Sequence, residues 1–265
     1  MVEARSGGGG GLGGGTNGGS GGGGNDPFRN FFNGGSKWSL STMFEMKDVS
    51  DKTRAHLTRV YTTLATASGT CAVGMYLNAT FVLHGFIAMI LYCMGMAYCI
   101  FQVSNPSNSE NRQIMWMLGV AFSMGLLAGP GINHFAEVKP ELLMQAVLYA
   151  MGAFGSFSAV SLFSQRRSFL FLGSIISTMM SAMLIYSLVG WLMGSAFGIG
   201  YLMCALFITC LWIIFDTQVI VEEAERGHRN VASHTLKLFL DLFDLFMQIL
   251  RILNELDEKK KKDKK

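Results

Sequence analysis

Long apolar segments separated by short polar connections make up most of the chain after residue 56. Each segment has about the 20 mostly apolar residues that a helix needs to cross the hydrocarbon core of a bilayer. The short alternating strands of a spanning β-barrel do not occur in this pattern. The sequence therefore predicts an all-α polytopic membrane protein. Its six predicted spans, of which the first is weak because it is rich in Thr, Ala and Ser, lie near residues 57–77, 79–102, 113–134, 141–164, 169–189 and 198–221.

A seventh segment follows, in which a polar residue recurs every three or four positions. The residues between them from Leu236 to Leu253 are nearly all Leu, Ile, Phe or Met, so a narrow polar stripe runs along an otherwise apolar helix. Such a helix either lies in the membrane interface or is enclosed by lipid-facing neighbours around an internal polar cavity. The wide apolar arc favours enclosure. The stripe consists of Asn230, His234, Lys237, Asp241, Asp244, Gln248, Arg251 and Glu255.

Composition supports a membrane protein and divides the chain into four regions. Of its 265 residues 50% are hydrophobic and 15% are charged, whereas soluble domains are about 25% charged. Fourteen glycines between residues 7 and 24 cannot bury enough apolar surface to offset their chain entropy. The predicted regions are a disordered Gly-rich arm (1–36), a cytosolic interfacial segment (37–56), a seven-helix membrane domain (57–255) and a Lys-rich tail (256–265).

Basic residues are distributed unevenly between the connections. With a cytosolic N-terminus, Lys139 is the only basic residue in the connections on the opposite side, which matches the positive-inside rule. Six spans would return the chain to the cytosol at residue 222. If the seventh helix crosses fully, the Lys-rich tail emerges on the far side; if it re-enters and returns, the tail is cytosolic. The basic residues favour the second arrangement, and the length of the polar stripe favours the first.

Asp216 is the only charged residue between Gly198 and Val221. It lies as far before the turn signal Arg226–Asn230 as Asp241 lies after it, so an antiparallel hairpin would place both carboxylates at one depth. Two neighbouring carboxylates in a low dielectric cannot both carry a charge cheaply, so they share one proton and titrate as a unit. Loss of that proton would introduce repulsion, and the pair could also attract Ca²⁺. The alternative is that Asp216 reaches the cytosolic interface or caps a backbone group.

Other candidate chemistry is limited. Asp244, Lys237 and Arg251 share the stripe with Asp241 and are accessory candidates, as is His234, which is close enough to the turn to affect the titration of the pair. The five cysteines lie in apolar segments without the spacing of a metal site, so no cofactor is predicted and Ca²⁺ would be a transported ion. A net charge of +3, with basic residues at helix ends, does not indicate nucleic-acid binding. The expected partners are the lipid bilayer, Ca²⁺ and H⁺.

Several separated motifs, in order, resemble the signature of the Bax inhibitor family, in its Bax inhibitor-1 branch. The main ones are "FDTQVIVEEAERG" (215–227) and "HTLKLFLDLF" (234–243). The resemblance covers about residues 40 to 265 and excludes the Gly-rich arm. The other matching motifs are "HLTRVY" (56–61), "GP" (129–130), "RRSFLFLG" (166–173) and "DEKKKKDKK" (257–265).

This resemblance implies six transmembrane helices around a central seventh, in the membrane of the endoplasmic reticulum. It implies suppression of cell death and a pH-sensitive Ca²⁺ leak, with Asp216 and Asp241 as the proton sensor. The function that this family membership would imply is a Ca²⁺ leak channel or proton-coupled exchanger. One alternative is a non-transporting protein that binds cell-death regulatory membrane proteins through its tail or loops, and another is an enzyme. Enzyme activity is not expected, because neither aspartate has the Gly-x-Gly-Asp context of intramembrane aspartyl proteases.

Overall fold

A computed structural model of the chain describes residues 50–81, 86–163, 172–193 and 198–263. The predicted Gly-rich arm, residues 37–49 of the interfacial segment and the last two residues of the tail lie outside the described residues. Within that part of the chain, each predicted span and the striped segment correspond to one helix, except that residues 79–81, predicted to begin the second span, belong to the end of the first helix. The helices are α1 (Asp51–Phe81), α2 (Phe86–Ser104), α3 (Glu110–Val138), α4 (Pro140–Phe163), α5 (Leu172–Leu192), α6 (Ile199–Glu225) and α7 (Val231–Asp263).

Five of these helices, α2 to α6, are long and apolar enough to cross a membrane. Helix α1, the predicted weak span, is not among them, although its 31 residues extend over about 46 Å. Six of its Thr and Ser hydroxyl groups donate to carbonyl groups of the same helix: for example, Thr62 Oγ1 donates to the Thr58 carbonyl and Thr70 Oγ1 to the Thr66 carbonyl, both at 2.8 Å. This internal bonding lets a Thr-rich helix lie in apolar surroundings.

Helix α1 begins six residues before the predicted span, so residues 51–56 belong to it rather than to the interfacial segment. Ser50 starts the helix, since its Oγ accepts a hydrogen bond from the Thr53 amide at 3.3 Å. Thr53 and His56 are buried even though charged residues surround them in sequence. A prediction from apolar content therefore underestimates the length of α1 at its polar N-terminal end.

The outer faces of α2, α4 and α5 consist of large apolar side chains. On α5, Leu184, Ile185 and Trp191 are 66%, 65% and 74% exposed. Soluble monomers rarely expose contiguous apolar patches of this kind. These faces therefore suit hydrocarbon rather than water.

Helix α7 lies in the centre of the bundle, where it packs against α1, α2, α3, α4 and α6. Leu238, Leu245 and Leu250 on its apolar face are fully buried. The enclosed arrangement predicted from the polar stripe is confirmed, and the alternative of a helix lying in the membrane interface is wrong. Helix α5 packs at the periphery, against α6.

Helix α7 runs from one end of the bundle to the other without a break. At the first end, the Ser50 amide donates to Glu225 Oε1 at 3.0 Å. At the second end, Lys139 Nζ donates to Asn254 Oδ1 and Glu258 Oε1, both at 2.7 Å. The tail therefore leaves the bundle beside the α3–α4 turn, and the re-entrant arrangement favoured by the basic residues is wrong. The physical reason is that the acids preceding the lysine run pair with Lys139.

Lys139 and its two acidic partners, Asp257 and Glu258, shift one another's pKa values. Hydrogen bonds to Glu258 and Asp257 raise the pKa of Lys139. The pKa of Asp257 is lowered by Lys261 and then by Lys139, whereas the pKa of Glu258 is lowered mainly by Lys139. A carboxyl whose pKa is lowered in the folded state stabilises that state above its ordinary pKa. The stabilisation is lost as the pH falls through the folded-state value.

Replacing Lys139 by methionine is expected to raise the pKa of Glu258 more than that of Asp257. Replacing Lys261 by methionine should have the reverse effect, because Asp257 is the carboxyl that Lys261 contacts, at 3.0 Å. Carboxyl carbon shifts followed by NMR titration in micelles measure both values. Equal shifts in the two variants would contradict the crossed pairing.

Helices α1 and α3 approach closely at glycines. A Cβ on Gly125 would meet the Cys71 carbonyl group and lie 3.1 Å from Gly74 Cα, and one on Gly129 would lie 2.6 Å from Asn78 Cβ. The four-residue spacing of Gly125 and Gly129 in the sequence predicts such close helix packing, and the structure confirms it.

Glycines at 190, 194 and 198 recur at the same four-residue spacing, which also predicts close helix packing, but the structure gives a different result. Gly194 lies outside the described residues. No heavy atom lies within 4 Å of a Cβ built on Gly198, which only precedes the first turn of α6. The prediction of close packing at Gly198 is therefore wrong. The four-residue spacing places residues on one face only within a helix, and Gly198 precedes the start of α6.

Candidate functional site

The turn between α6 and α7 sets the register of the two helices. Gly227, the predicted C-terminal cap, has φ +94°, a conformation that glycine adopts without strain. The His228 amide donates to the Glu223 carbonyl at 2.9 Å and the Gly227 amide to the Ala224 carbonyl at 3.2 Å, the two bonds of a Schellman motif. Asn230 then starts α7, since its Oδ1 accepts from the Ser233 amide at 3.0 Å.

This register places Asp216 and Asp241 at matching depths. Asp216 lies nine residues before the end of α6 and Asp241 ten residues after the start of α7, which puts both about 14–15 Å from the turn. Both side chains line one cavity. The number of residues between each acid and the turn, read from the sequence, therefore predicted that Asp216 and Asp241 lie at one depth.

The cavity has a volume of about 490 Å³ and lies between α3, α6 and α7. Its charged lining consists of three carboxylates and two cations, all contributed by α6 and α7. Its apolar lining includes Trp212 from α6 and Met124 from α3. The charged residues are Asp216, Lys237, Asp241, Asp244 and Arg251.

Asp241 has a buried carboxylate oxygen without a partner. Its Oδ2 atom makes no hydrogen bond to any residue that the structure describes. Asp244 lies nearer the surface, where its Oδ2 accepts from Gln248 Nε2 at 3.0 Å, and the same Gln248 nitrogen donates to Thr209 Oγ1 on α6 at 2.8 Å. A buried acceptor without a donor is costly, so Asp241 gains more from a proton than Asp244 does.

His234 does not line the cavity, although it belongs to the predicted stripe. It is buried against α1 and α6, where its ring contacts His56 and Glu223. A helix of 3.6 residues per turn drifts about 20° per heptad relative to a 3.5-residue repeat. The ends of a long stripe therefore turn away from the face that its middle presents.

Glu223 and His56 are the site residues that the sequence reasoning missed. Glu223 Oε2 lies 2.8 Å from His234 Nε2, and Glu223 Oε1 lies 3.5 Å from Lys237 Nζ at the cavity. His56 stands in the "HLTRVY" motif, which marked a resemblance without indicating a contact. The only available signal was that both residues flank predicted helix ends at the same side of the membrane.

The acids of the cavity do not form a resident metal site. Among the described residues, no three His, Cys, Asp or Glu side chains are grouped closely enough to hold a metal ion. Ca²⁺ takes six to eight oxygen ligands, and the three carboxylates of the cavity are not grouped as one set of ligands. The arrangement therefore suits brief contact with a cation rather than its storage.

Comparison with known proteins identifies the family. A family model described as "Inhibitor of apoptosis-promoting Bax1" matches residues 53–258. Bax inhibitor 1 of Mus musculus is 33% identical over 209 residues, which cover 77% of this chain and 87% of the relative. Bax inhibitor 1 of Arabidopsis thaliana is 30% identical over 221 residues, covering 82% and 88%. The matched region begins in the first turn of α1 and ends in the last turns of α7, so it contains the whole bundle and both cavity aspartates; the chain belongs to the Bax inhibitor family.

Proposed function

We propose that the chain suppresses cell death as a multi-pass protein of the endoplasmic reticulum membrane and passes Ca²⁺ in a pH-dependent manner. Asp216 and Asp241 act as the proton sensor, and the N-terminus is cytosolic. The observation that carries the proposal is the cavity in which these two acids, from antiparallel helices, lie at one depth. The curated relatives named Bax inhibitor 1 support the link to cell death.

The gating step follows from the charges of the pair. With one shared proton, the two carboxyl groups form a hydrogen bond and hold α6 against α7. When that proton is lost, two anions face each other in a low-dielectric cavity, and their repulsion separates the helices. The flux through the protein should therefore rise as the pH rises through the titration of the pair.

Ca²⁺ is the proposed cargo because hard cations prefer carboxylate oxygens. Lys237 and Arg251 offset much of the negative charge of the three acids in the cavity, which weakens binding enough for an ion to leave. Conduction requires such a balance between entry and release. No enzymatic step is part of the proposal.

The test is Ca²⁺ flux in liposomes that contain the purified full-length protein. A Ca²⁺ indicator inside the vesicles should report a flux that increases between pH 5 and pH 8, with protein-free liposomes as the control. Absence of flux at every pH would contradict the transport function. Cell-death suppression without flux would support the alternative, a protein that acts by binding cell-death regulatory membrane proteins.

A further inference from the structure

Four polar side chains form a row at the end of the bundle where α1 and α7 begin. His56 Nε2 lies 2.8 Å from His234 Nδ1, and His234 Nε2 lies 2.8 Å from Glu223 Oε2. Lys237 Nζ lies 3.5 Å from the other oxygen of Glu223. The two histidines are only 5% and 2% exposed. The row therefore joins α1, α6 and α7, with its histidines buried and its Glu223 and Lys237 side chains half-exposed.

The hydrogen bonds from His56 through His234 to Glu223 all point in one direction, toward Glu223. An ionised Glu223 only accepts, so His234 Nε2–H donates to it. In a neutral His234 ring the other nitrogen, Nδ1, then accepts, and His56 Nε2–H is its donor. Each residue fixes the orientation of the next one.

The row ends at the aspartate cavity. Lys237 both contacts Glu223 and lines the cavity. Glu223 and Lys237 also act electrostatically on Asp216. The position of the Lys237 ammonium is therefore shared between Glu223 and the acids of the cavity.

We propose that His56, His234 and Glu223 are positioning residues for the aspartate cavity, because together they hold Glu223 where it draws Lys237 away from Asp216 and Asp241. The consequence for ion flux rests on the proposed function, whereas the positioning of Lys237 does not. With Lys237 held at Glu223, the two aspartates retain the repulsion that opens the cavity.

The row also responds to protons. The contact between His56 Nε2 and His234 Nδ1 needs one donor and one acceptor. One added proton can be accommodated, because the histidine that stays neutral can still present an acceptor nitrogen. A second added proton makes both facing nitrogens donors, which breaks this contact between α1 and α7. The surrounding charges are Arg59 on α1, Arg229 in the turn, Glu223 on α6 and Lys237 on α7. Burial opposes a charge on both histidines, and His234 and the two arginines also oppose one on His56. At His234, Glu223 favours a charge whereas Lys237 opposes it.

The test is the rate at which an amine-reactive reagent labels Lys237 at pH 7.5 in the purified full-length protein, read by mass spectrometry. An ammonium that moves from the half-exposed Glu223 to the acids of the cavity is less accessible and remains ion-paired, so Glu223→Gln and His234→Ala should decrease labelling about two- to fivefold, the range that a partly exposed ion pair supplies. His234→Gln keeps a donor for Glu223 and should label at nearly the wild-type rate. His228→Gln is the matched control, because His228 is exposed in the same turn.

The proposal is overturned if Glu223→Gln and His234→Ala label Lys237 at the wild-type rate, or if His228→Gln changes the rate as much as they do. Thermal unfolding shows whether each variant is folded. If His234→Ala is not folded, the test rests on Glu223→Gln, because a substitution at this half-exposed position disturbs the core less. In liposomes, Glu223→Gln should lower the Ca²⁺ flux at pH 8, because the released Lys237 reduces the repulsion between Asp216 and Asp241. Altered Lys237 labelling in a protein without flux would support the positioning role and contradict the transport function.

Discussion

Replacing Gly125 by alanine is expected to lower the free energy of unfolding by about 1–3 kcal/mol, the usual cost of overpacking. The new Cβ would meet the Cys71 carbonyl group and Gly74 Cα on α1. Both are backbone groups, which cannot turn aside as a flexible side chain can. The helices α1 and α3 must therefore separate along their length. Unfolding in detergent micelles with increasing denaturant measures the effect.

Gly152→Ala is the matched control. Gly152 lies in α4 with no heavy atom within 4 Å of the added Cβ, so only the helix propensity changes. That variant should be more stable by about 0.5–1 kcal/mol. A stabilised Gly125→Ala variant would contradict the contact.

Gly74→Ala tests the same contact from the other helix. Its Cβ would lie 2.5 Å from the Phe122 carbonyl oxygen. Once either substitution has moved the helices apart, the second meets a relaxed site. The double variant should therefore lose less stability than the sum of the two single variants.

The fold could be predicted from the sequence to the extent that it depends on local patterns. The spacing of polar residues in α7 indicates a helix that is apolar on most of its circumference, and only an enclosed position satisfies that surface. Gly227 and Asn230 mark the turn, and counting residues from it pairs Asp216 with Asp241. These predictions succeeded because a helix has a fixed rise and period.

Contacts between distant segments could not be predicted in the same way. His56 and His234 are 178 residues apart, and periodicity indicates which face a residue occupies without indicating its neighbour. The sequence left two positions of the tail open for a related reason. The positive-inside rule counts lysines by segment, whereas the position of the α7 end depends on three specific partners of Lys139: Asn254, Asp257 and Glu258.

Replacing Asp241 by asparagine is expected to abolish the pH dependence of Ca²⁺ flux in liposomes. The amide cannot ionise, so the two-anion state that would separate α6 from α7 is no longer available at any pH. Asp216→Asn removes the same state from the other helix and should give the same flat profile. Flux at pH 8 should fall toward the wild-type value at pH 5.

The pair should also behave as one titrating unit. Because either substitution alone removes the shared proton, the double variant should differ little from each single variant. Two independent sensors would instead give additive changes. Comparing the three profiles in one lipid composition distinguishes the two cases.

Asp244→Asn is the matched control for this experiment. Asp244 lines the same cavity on the same helix, one turn away, but it is exposed and its carboxylate accepts from Gln248. It should leave the pH dependence in place and change only the size of the flux, since a carboxylate near the rim attracts cations without controlling the contact between helices. A flat profile in Asp244→Asn, or a wild-type profile in Asp241→Asn, would exclude the pair as the sensor.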